Sequence, residues 1–207
     1  MNKYYYFTTK QKIYIFIKRV LDIIICLPIC IIILPIMIII SICIKIDSKG
    51  NILFKQKRVG KNKKTFLIWK FRTMRTDTPK DVPTHLLSDP NTHITKVGKF
   101  LRKTSLDELP QVYQALFGVI SIVGPRPALW NQDDLILERD KYHANDIKPG
   151  ITGLAQISGR DELSIEKKAL LDGEYVKNFG FIMDMKCFIN TFFKVIKGEG
   201  VVEGAKG

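Results

Sequence analysis

Two adjacent carboxylates stand where a helix is predicted to begin. Asp107 and Glu108 follow Ser105 and precede residues whose apolar members recur at helical spacing. A carboxylate can attack a phosphoryl or glycosyl centre and form a covalent intermediate, and a helix N-terminus helps to hold an anionic phosphate nearby. Adjacent carboxylates also favour a divalent cation. The alternative is a capping box between Ser105 and Glu108, which Pro110 weakens because it removes a helical hydrogen bond.

Four cations surround this pair in the chain and are candidates to bind phosphate. Lys70 and Arg72 follow a predicted strand, Arg102 precedes the carboxylates, and Arg126 stands between two prolines. Guanidinium groups bind phosphate oxygens in bidentate fashion. Lys70 and Arg72 fit a solvated strand edge equally well. The rigid backbone around Arg126 indicates a positioned side chain.

A glycine-rich segment, residues 148–153, is the third candidate element. Glycines let backbone amides approach a phosphate or nucleotide. The segment is not a P-loop, because no Gly-Lys-Ser/Thr follows it. The candidate binding residues in and after it are Pro149, Gly150, Thr152, Gly153, Gln156 and Arg160.

Short strands and several helices are predicted to position these residues, which gives an α+β fold. Strands are expected at 52–54 and 65–69 around a basic loop at 59–64. A loop is expected over 76–95. Helices are expected at 106–117, ended by Gly118, and at 165–179 and 182–197. The last helix has an apolar side that fits either the core or a membrane interface.

An uncharged apolar segment of 22 residues, Ile23–Ile44, precedes these elements. One straight helix of that length is roughly 33 Å long, against a hydrocarbon core of roughly 30 Å. Pro28 and Pro35 each remove a helical hydrogen bond, and Pro35 divides the segment into two arms of about half a bilayer each. A re-entrant helix that enters and leaves one leaflet and a kinked single span are both compatible with this pattern.

The charge is concentrated around the apolar segment. Residues 1–75 contain 16 lysines and arginines against two aspartates, whereas the rest of the chain is nearly neutral. A basic collar beside an apolar segment favours anionic lipid headgroups over nucleic acid, and basic flanks on both sides favour a cytoplasmic location for both. The scattered cysteines and histidines indicate neither a disulfide framework nor a zinc site.

The chain resembles the bacterial sugar transferase family, the monotopic phosphoglycosyl transferases that begin glycan assembly on a lipid carrier. Many members carry a serine where this chain has Leu34. The markers of the resemblance, in order, are Leu34-Pro35, Gln56-Lys57-Arg58-Val59-Gly60, Lys70-Phe71-Arg72-Thr73-Met74, Ser105-Leu106-Asp107-Glu108-Leu109-Pro110-Gln111, Gly124-Pro125-Arg126-Pro127, Lys148-Pro149-Gly150-Ile151-Thr152-Gly153, Asp172, Tyr175-Val176 and Asp184.

The resemblance implies a reaction. Asp107 would attack the sugar-linked phosphate of a UDP-sugar and expel UMP, and polyprenyl (undecaprenyl) phosphate would then take the phosphosugar from the enzyme. Glu108 would help to bind Mg²⁺ and assist the acceptor, with Asp184 as a further metal ligand. This is the first membrane step of capsule, exopolysaccharide, O-antigen or glycoprotein glycan synthesis, so downstream glycosyltransferases are expected partners.

The resemblance also implies an architecture. A re-entrant membrane helix broken at Leu34 and Pro35 would occupy residues 1–46, and a catalytic domain with interfacial helices would occupy 47–207, on the cytoplasmic face of the bacterial inner membrane. A membrane-anchored interaction protein without catalysis is the alternative, and it would leave the Asp-Glu and Gly-Pro-Arg-Pro motifs unexplained. A nucleic-acid-binding module is disfavoured by the near-neutral second part of the chain.

Overall fold

A computed structural model of the chain describes residues 7–79, 90–159 and 162–197. It is mostly helical, with two small sheets, as the predicted α+β class requires. The helices are α1 Thr9–Asp47, α2 Pro90–His93, α3 Lys96–Lys103, α4 Pro110–Leu116, α5 Asp133–Asp140, α6 Leu154–Ile157, α7 Ile165–Lys177 and α8 Phe181–Lys197. The strands are β1 Leu53–Val59, β2 Thr65–Phe71, β3 Ser121–Val123 and β4 Gly150–Thr152.

The longest element, α1, begins at a capping box between Thr8 and Gln11 and ends where Ser48 turns to an extended conformation. It continues through Pro28 and Pro35. Neighbouring hydrogen bonds sustain an apolar helix around the one that each proline removes. Among the described residues, α1 is the one helix long and apolar enough to cross a membrane. A break at Leu34 and Pro35 stays a prediction.

One face of α1 is buried against the rest of the protein along nearly its whole length. The buried positions recur every three or four residues, apart from one step of seven between Ile33 and Ile40, and these are the spacings of a single helical face. Most of these residues are apolar, and the charged ones bind partners on later elements. The buried residues are Gln11, Tyr14, Lys18, Asp22, Cys26, Cys30, Ile33, Ile40 and Ile44.

The hydrophobic core is built in clusters arranged along this face. Tyr14 packs in a cluster with the end of α7 and with Cys187 of α8, while Cys26 packs with Ala115 of α4. Ile40 and Ile44 pack with Phe71 of β2 and Leu101 of α3. Three of the four clusters formed by the described residues therefore contain residues of α1.

A buried carboxylate fastens the first part of α1 to α7 and α8. Asp184 accepts hydrogen bonds from Tyr14 at 2.7 Å and from Tyr175 at 2.6 Å, and it forms an ion pair with Lys18. Farther along α1, Asp22 accepts from the Ser121 hydroxyl at 2.8 Å. Truncating Lys18 or Asp184 would leave the buried charge of the other residue unpaired.

The hairpin of β1 and β2 is antiparallel, with Leu53 opposite Phe71 and Val59 opposite Thr65. Both predicted strands are confirmed, and both are longer than predicted. The turn between them places Asn62 and Lys63 at positive φ, 53° and 59°. The predicted loop over 76–95 contains α2 near its end, and residues 80–89 lie outside the described part.

The outer surface carries many exposed apolar side chains. On α1 they lie opposite the buried face. On α8 they lie on the part of the helix surface that faces away from the buried residues Asp184 and Cys187. The α8 pattern favours a membrane interface for that face over the core. The exposed apolar residues of α8 are Phe181, Ile182, Met185, Phe188, Ile189, Phe192 and Phe193.

Candidate active site

The Asp-Glu pair lies in a tight turn before α4. Residues 106–108 form one turn of 3₁₀ helix, and Ser105 precedes it with a positive φ of 56° and without a side-chain cap hydrogen bond. The capping-box alternative is therefore wrong. Pro110 occupies the first turn of α4, where its missing N–H has no helical partner to lose. Glu108 thus stands outside the α-helix and is available for other contacts.

Glu108 binds two cations from different elements. Its Oε1 accepts from the Nζ of Lys70 at 2.6 Å and from the guanidinium of Arg126 at 2.8 Å. Lys70 lies on β2 and Arg126 follows β3, so this one carboxylate connects both sheets. The side chain of Glu108 is 13% exposed, and such a buried charge needs paired partners of this kind.

Asp107 is buried, at 9% exposure, and makes a looser contact. Its Oδ2 lies 3.8 Å from the Nζ of Lys70, beyond hydrogen-bond distance. The two neighbouring carboxylates therefore differ: Glu108 is held by two close cations, and Asp107 stands beside the same cations without a close ion pair.

Because their surroundings differ, the pKa values of Asp107 and Glu108 are shifted in opposite directions. Burial raises the pKa of Asp107 above its ordinary range; Lys70 opposes the shift, and the adjacent charge of Glu108 adds to it. Burial also works against ionisation of Glu108, but Arg126 and Lys70 outweigh it and hold the pKa of Glu108 well below its ordinary range. Two carboxylates whose pKa values are pushed apart are typical of active sites with divided roles.

The glycine-rich segment positions Arg126 through the backbone. The amide of Gly124 donates to Thr152 O at 2.7 Å, and the amide of Gly150 donates to Pro125 O at 3.0 Å. A Cβ on Gly150 would lie 2.1 Å from Gly124 N, and one on Gly153 would lie 2.2 Å from Gly124 O. The two glycines are thus required for close packing of β3 against β4.

Gln156, on α6 just after the glycine-rich segment, has unused hydrogen-bonding capacity. It is 8% exposed, and its amide nitrogen and oxygen are both buried without a hydrogen-bond partner within the described residues. Unpaired buried amides carry a free-energy penalty, so a bound polar group is the expected partner. Thr152 contacts Thr191 of α8 at 2.5 Å, and Pro149 accepts from the Ser121 amide at 2.9 Å.

Arg72 and Arg102, like Arg126, have protein partners. Arg72 donates to Lys49 O at 2.5 Å and to Ser48 O at 2.7 Å, and it is 6% exposed. Its guanidinium therefore stabilises the turn that follows α1. Arg102 donates to the Thr73 hydroxyl at 2.9 Å, and its charge lowers the pKa of Asp107. Arg102 consequently lies close to the carboxylate pair.

The structure separates Asp184 from the pair with which it was predicted to bind metal. Its oxygens are occupied by Tyr14, Lys18 and Tyr175. Within the described residues, no group of three or more acidic, histidine or cysteine side chains is placed to hold an ion. Arg160 lies outside the described residues.

One positioning residue was not predicted. Gln114 of α4 is 2% exposed, accepts from the Trp69 amide at 2.8 Å and donates to Leu67 O at 2.7 Å. These bonds fix β2, and with it Lys70, against the helix that follows the pair. An amide among the apolar residues of a predicted helix was the available signal.

A buried carboxylate pair among Lys70, Arg102 and Arg126 is an arrangement that can bind phosphate groups. The chain is a member of the bacterial sugar transferase family, whose model matches residues 13–198. This confirms both the resemblance and the prediction of a transferase enzyme, against the non-catalytic alternative.

Named relatives agree. The chain is 42% identical over 158 residues to the uncharacterized sugar transferase EpsL of Bacillus subtilis, covering 76% of each chain. It is 37% identical to the exopolysaccharide production protein PSS of Rhizobium leguminosarum bv. phaseoli, covering 89% of this chain and 98% of the relative. It is 41% identical to the UDP-glucose:undecaprenyl-phosphate glucose-1-phosphate transferase of Klebsiella pneumoniae, but covers only 39% of that protein.

Proposed function

We propose that this protein transfers a sugar 1-phosphate from a UDP-sugar to polyprenyl phosphate through a covalent intermediate on Asp107. The Klebsiella pneumoniae relative and one from Escherichia coli are named for such a transfer to undecaprenyl phosphate. The observation that carries the proposal is the environment of Asp107, a buried carboxylate of raised pKa beside three cations yet without a close ion pair. Such a group is a stronger nucleophile once ionised than an ordinary aspartate.

The reaction has two displacements at the same phosphorus. An oxygen of Asp107 bonds to the sugar-side phosphorus of the donor, and the bond from that phosphorus to the bridging oxygen breaks, which releases UMP. An oxygen of polyprenyl phosphate then bonds to the phosphorus, and the bond to Asp107 breaks, which gives the polyprenyl diphosphate sugar. Lys70, Arg102 and Arg126 stabilise charge on the transferring phosphoryl group.

Glu108 has a different role from Asp107. A carboxylate of low pKa is a weak proton acceptor, so its contacts favour a role in positioning Lys70 and Arg126. Mg²⁺ commonly binds one or two carboxylates together with substrate phosphates, and Asp107 and Glu108 fit that requirement. When bound, Mg²⁺ would reduce the repulsion between the carboxylates and the pyrophosphate.

We also propose that both ends of α1 lie on the cytoplasmic side of the inner membrane, as in a re-entrant helix. Lys18 contacts α8, and Ile44 packs with β2 and α3 of the same globular part. A straight helix between these positions would be roughly 39 Å long, more than the roughly 30 Å hydrocarbon core. A transmembrane α1 would force one folded domain to both sides of the bilayer. The basic flanks favour the cytoplasmic side.

Trapping of the intermediate tests the function. The full chain in lipid nanodiscs is incubated with Mg²⁺ and a panel of UDP-sugars, without polyprenyl phosphate, and analysed by intact mass and peptide mapping. We expect a phosphosugar adduct on Asp107 and one equivalent of UMP. Addition of polyprenyl phosphate should remove the adduct and yield the lipid-linked sugar.

Asp107→Asn should abolish the adduct and reduce UMP release by several orders of magnitude, because attack on phosphorus requires the anion. The matched control is Asp77→Asn, an exposed carboxylate paired with Arg75, which should retain full activity. UMP release that strictly needs the acceptor, with no adduct at any time, would show a single displacement and reject the covalent role.

A further inference from the structure

A cleft of about 340 Å³ lies between the first part of α1 and the loop before β4, away from the carboxylate pair. Its walls do not include Lys70, Asp107, Glu108 or Arg126. Ser121 begins β3 and Lys148 precedes β4. Because these two strands are parallel, the cleft lies at the end of the sheet where both strands begin. Arg126 follows the other end of β3, and the cleft is therefore separate from the proposed reaction centre.

The polar wall of the cleft is strongly basic. Lys12, Lys18, Arg19, Lys61 and Lys148 line it, against a single carboxylate, Asp22. Some of these charges are already compensated. Lys18 is paired with Asp184, Asp22 accepts from the Ser121 hydroxyl, and Arg19 donates to the carbonyls that end α4.

Three lysines remain for a ligand. None of the ion pairs formed by the described residues involves Lys12, Lys61 or Lys148. Partial burial lowers the pKa of Lys148, and the neighbouring charges of Arg19 and Lys61 lower it further while Asp22 opposes them. Like charges held together in this way are stabilised by a bound anion.

The other wall of the cleft is apolar and continues onto the exposed surface of α1. Ile15 and Phe16 line the cleft, and they are 38% and 73% exposed. The neighbouring residues Ile13, Ile17 and Val20 are exposed as well. A ligand that places a phosphate among the lysines would thus extend directly along an apolar helix face, which suits an acyl chain.

We propose that this cleft binds the headgroup of an anionic phospholipid of the bilayer, with the phosphate at Lys12, Lys61 and Lys148 and an acyl chain along Ile15 and Phe16. The site is distinct from the acceptor site of the proposed reaction, because the acceptor phosphate must reach Asp107. The proposal does not depend on the catalytic role of Asp107.

Native mass spectrometry of the full chain in detergent tests this site with defined lipids. Phosphatidylglycerol is titrated in, and the fraction with one bound lipid is compared with that for phosphatidylethanolamine. We expect retention of one phosphatidylglycerol. The double variant Lys61→Gln, Lys148→Gln should weaken binding of phosphatidylglycerol by about tenfold or more, since it removes two of the three lysines that would contact the phosphate.

The matched control is Lys45→Gln, Lys49→Gln, which removes the same charge beside the apolar segment but outside the cleft. It should retain phosphatidylglycerol, and so should Asp107→Asn, which separates this result from the test of the reaction. Circular dichroism confirms that all variants are folded.

Three results would overturn the proposal. Equal loss in both lysine double variants would show general attraction by the basic collar. Displacement by millimolar inorganic phosphate would show a site for free anions. Displacement by equimolar polyprenyl phosphate would assign the cleft to the reaction's own lipid.

Discussion

The guanidinium of Arg126 donates to Glu108 at 2.8 Å. The arginine between two prolines is therefore held by the carboxylate next to the proposed nucleophile. This pairing leaves Asp107 free of a close ion pair while keeping positive charge beside it. It also makes Glu108 the residue on which the arrangement of the cations depends.

Glu108→Gln should destabilise the protein and lower its activity. The substitution leaves Lys70 and Arg126 without their shared anion, and we expect a loss of about 2 to 3 kcal/mol, less than for fully buried pairs because Arg126 is partly exposed. UMP release should fall by about 10²-fold or more. Thermal unfolding in detergent and a UMP assay measure the two effects.

The stability effect of Glu108→Gln should depend on pH. A carboxylate with a lowered pKa contributes stability above its ordinary value of 4.5 and loses it as the pH falls through the folded pKa. The difference in free energy of unfolding between wild type and variant should therefore be largest at pH 7 and disappear in strong acid. Glu138→Gln, at a surface pair with Lys141, is the control and should show little difference.

Asp107→Asn should have the opposite effect on stability. The raised pKa of Asp107 means that its stabilising contribution is full below 3.8 and lost as the pH rises through the folded pKa. We expect the variant to melt above wild type at pH 7, because the substitution removes a charge whose burial is unfavourable. The difference should vanish below pH 3.8. A lower melting temperature for the variant at pH 7 would contradict the raised pKa.

Gly150→Ala should reduce activity by displacing Arg126. The added Cβ would lie 2.1 Å from the backbone of Gly124, so β3 and β4 must separate. We expect a clear loss of stability and at least about a tenfold loss of UMP release. Gly180→Ala is the control, because an added Cβ there would lie 3.8 Å from the carbonyl oxygen of Asn178, an ordinary packing distance. Equal behaviour of the two variants would contradict the positioning role of Gly150.

The sequence predicted the outline of this structure better than its contacts. The two strands of the hairpin, the helix ended by Gly118 and the apolar helix follow from local patterns and were found, although the α-helix before Gly118 begins at Pro110 and not at residue 106. The roles of Arg72 and Asp184 were not predicted because their partners, Ser48 and Tyr14, are distant in the chain. The order of motifs along the chain shows which residues are needed. It does not show whether a given residue contacts the substrate or stabilises the folded structure.

The glycines of 148–153 illustrate the same limit. A glycine that approaches a phosphate and a glycine that approaches another strand have the same sequence pattern. Only the distance between Gly150 and Gly124 distinguishes the two. The positions of β3 and β4 could not be predicted because each has only three residues.

The topology of α1 predicts a labelling pattern in intact cells. In a Cys43→Ala background, which removes the exposed native cysteine, Lys10→Cys and Lys64→Cys should both resist an impermeant maleimide. Both should react after the cells are opened, because both flanks are expected on the cytoplasmic side. Labelling of position 10 in intact cells would reject the re-entrant arrangement and leave the enzyme assignment unaffected.

If α1 is re-entrant as proposed, Pro35→Ala should shift it towards a straight helix. The substitution restores a helical hydrogen bond and removes the ring clash, so the two arms should be driven towards one line. We expect weaker packing of Ile40 and Ile44 against Phe71 and a loss of UMP release of about tenfold or more. Pro28→Ala is the matched comparison. If activity is unchanged in Pro35→Ala and lost in Pro28→Ala, Pro28 and not Pro35 is responsible for the bend.

The buried face of α1 has a consequence for how the protein is made. Residues 9–47 leave the ribosome before the residues they pack against on α4, α7 and α8. In the proposed membrane arrangement, the segment would meet the lipid before the residues it packs against have been made, and the remaining chain would fold onto a helix that is already in the membrane. Deleting residues 9–47 would not give a folded soluble enzyme. The deletion would remove buried α1 residues from three of the four apolar clusters found in the described residues and expose their remaining members.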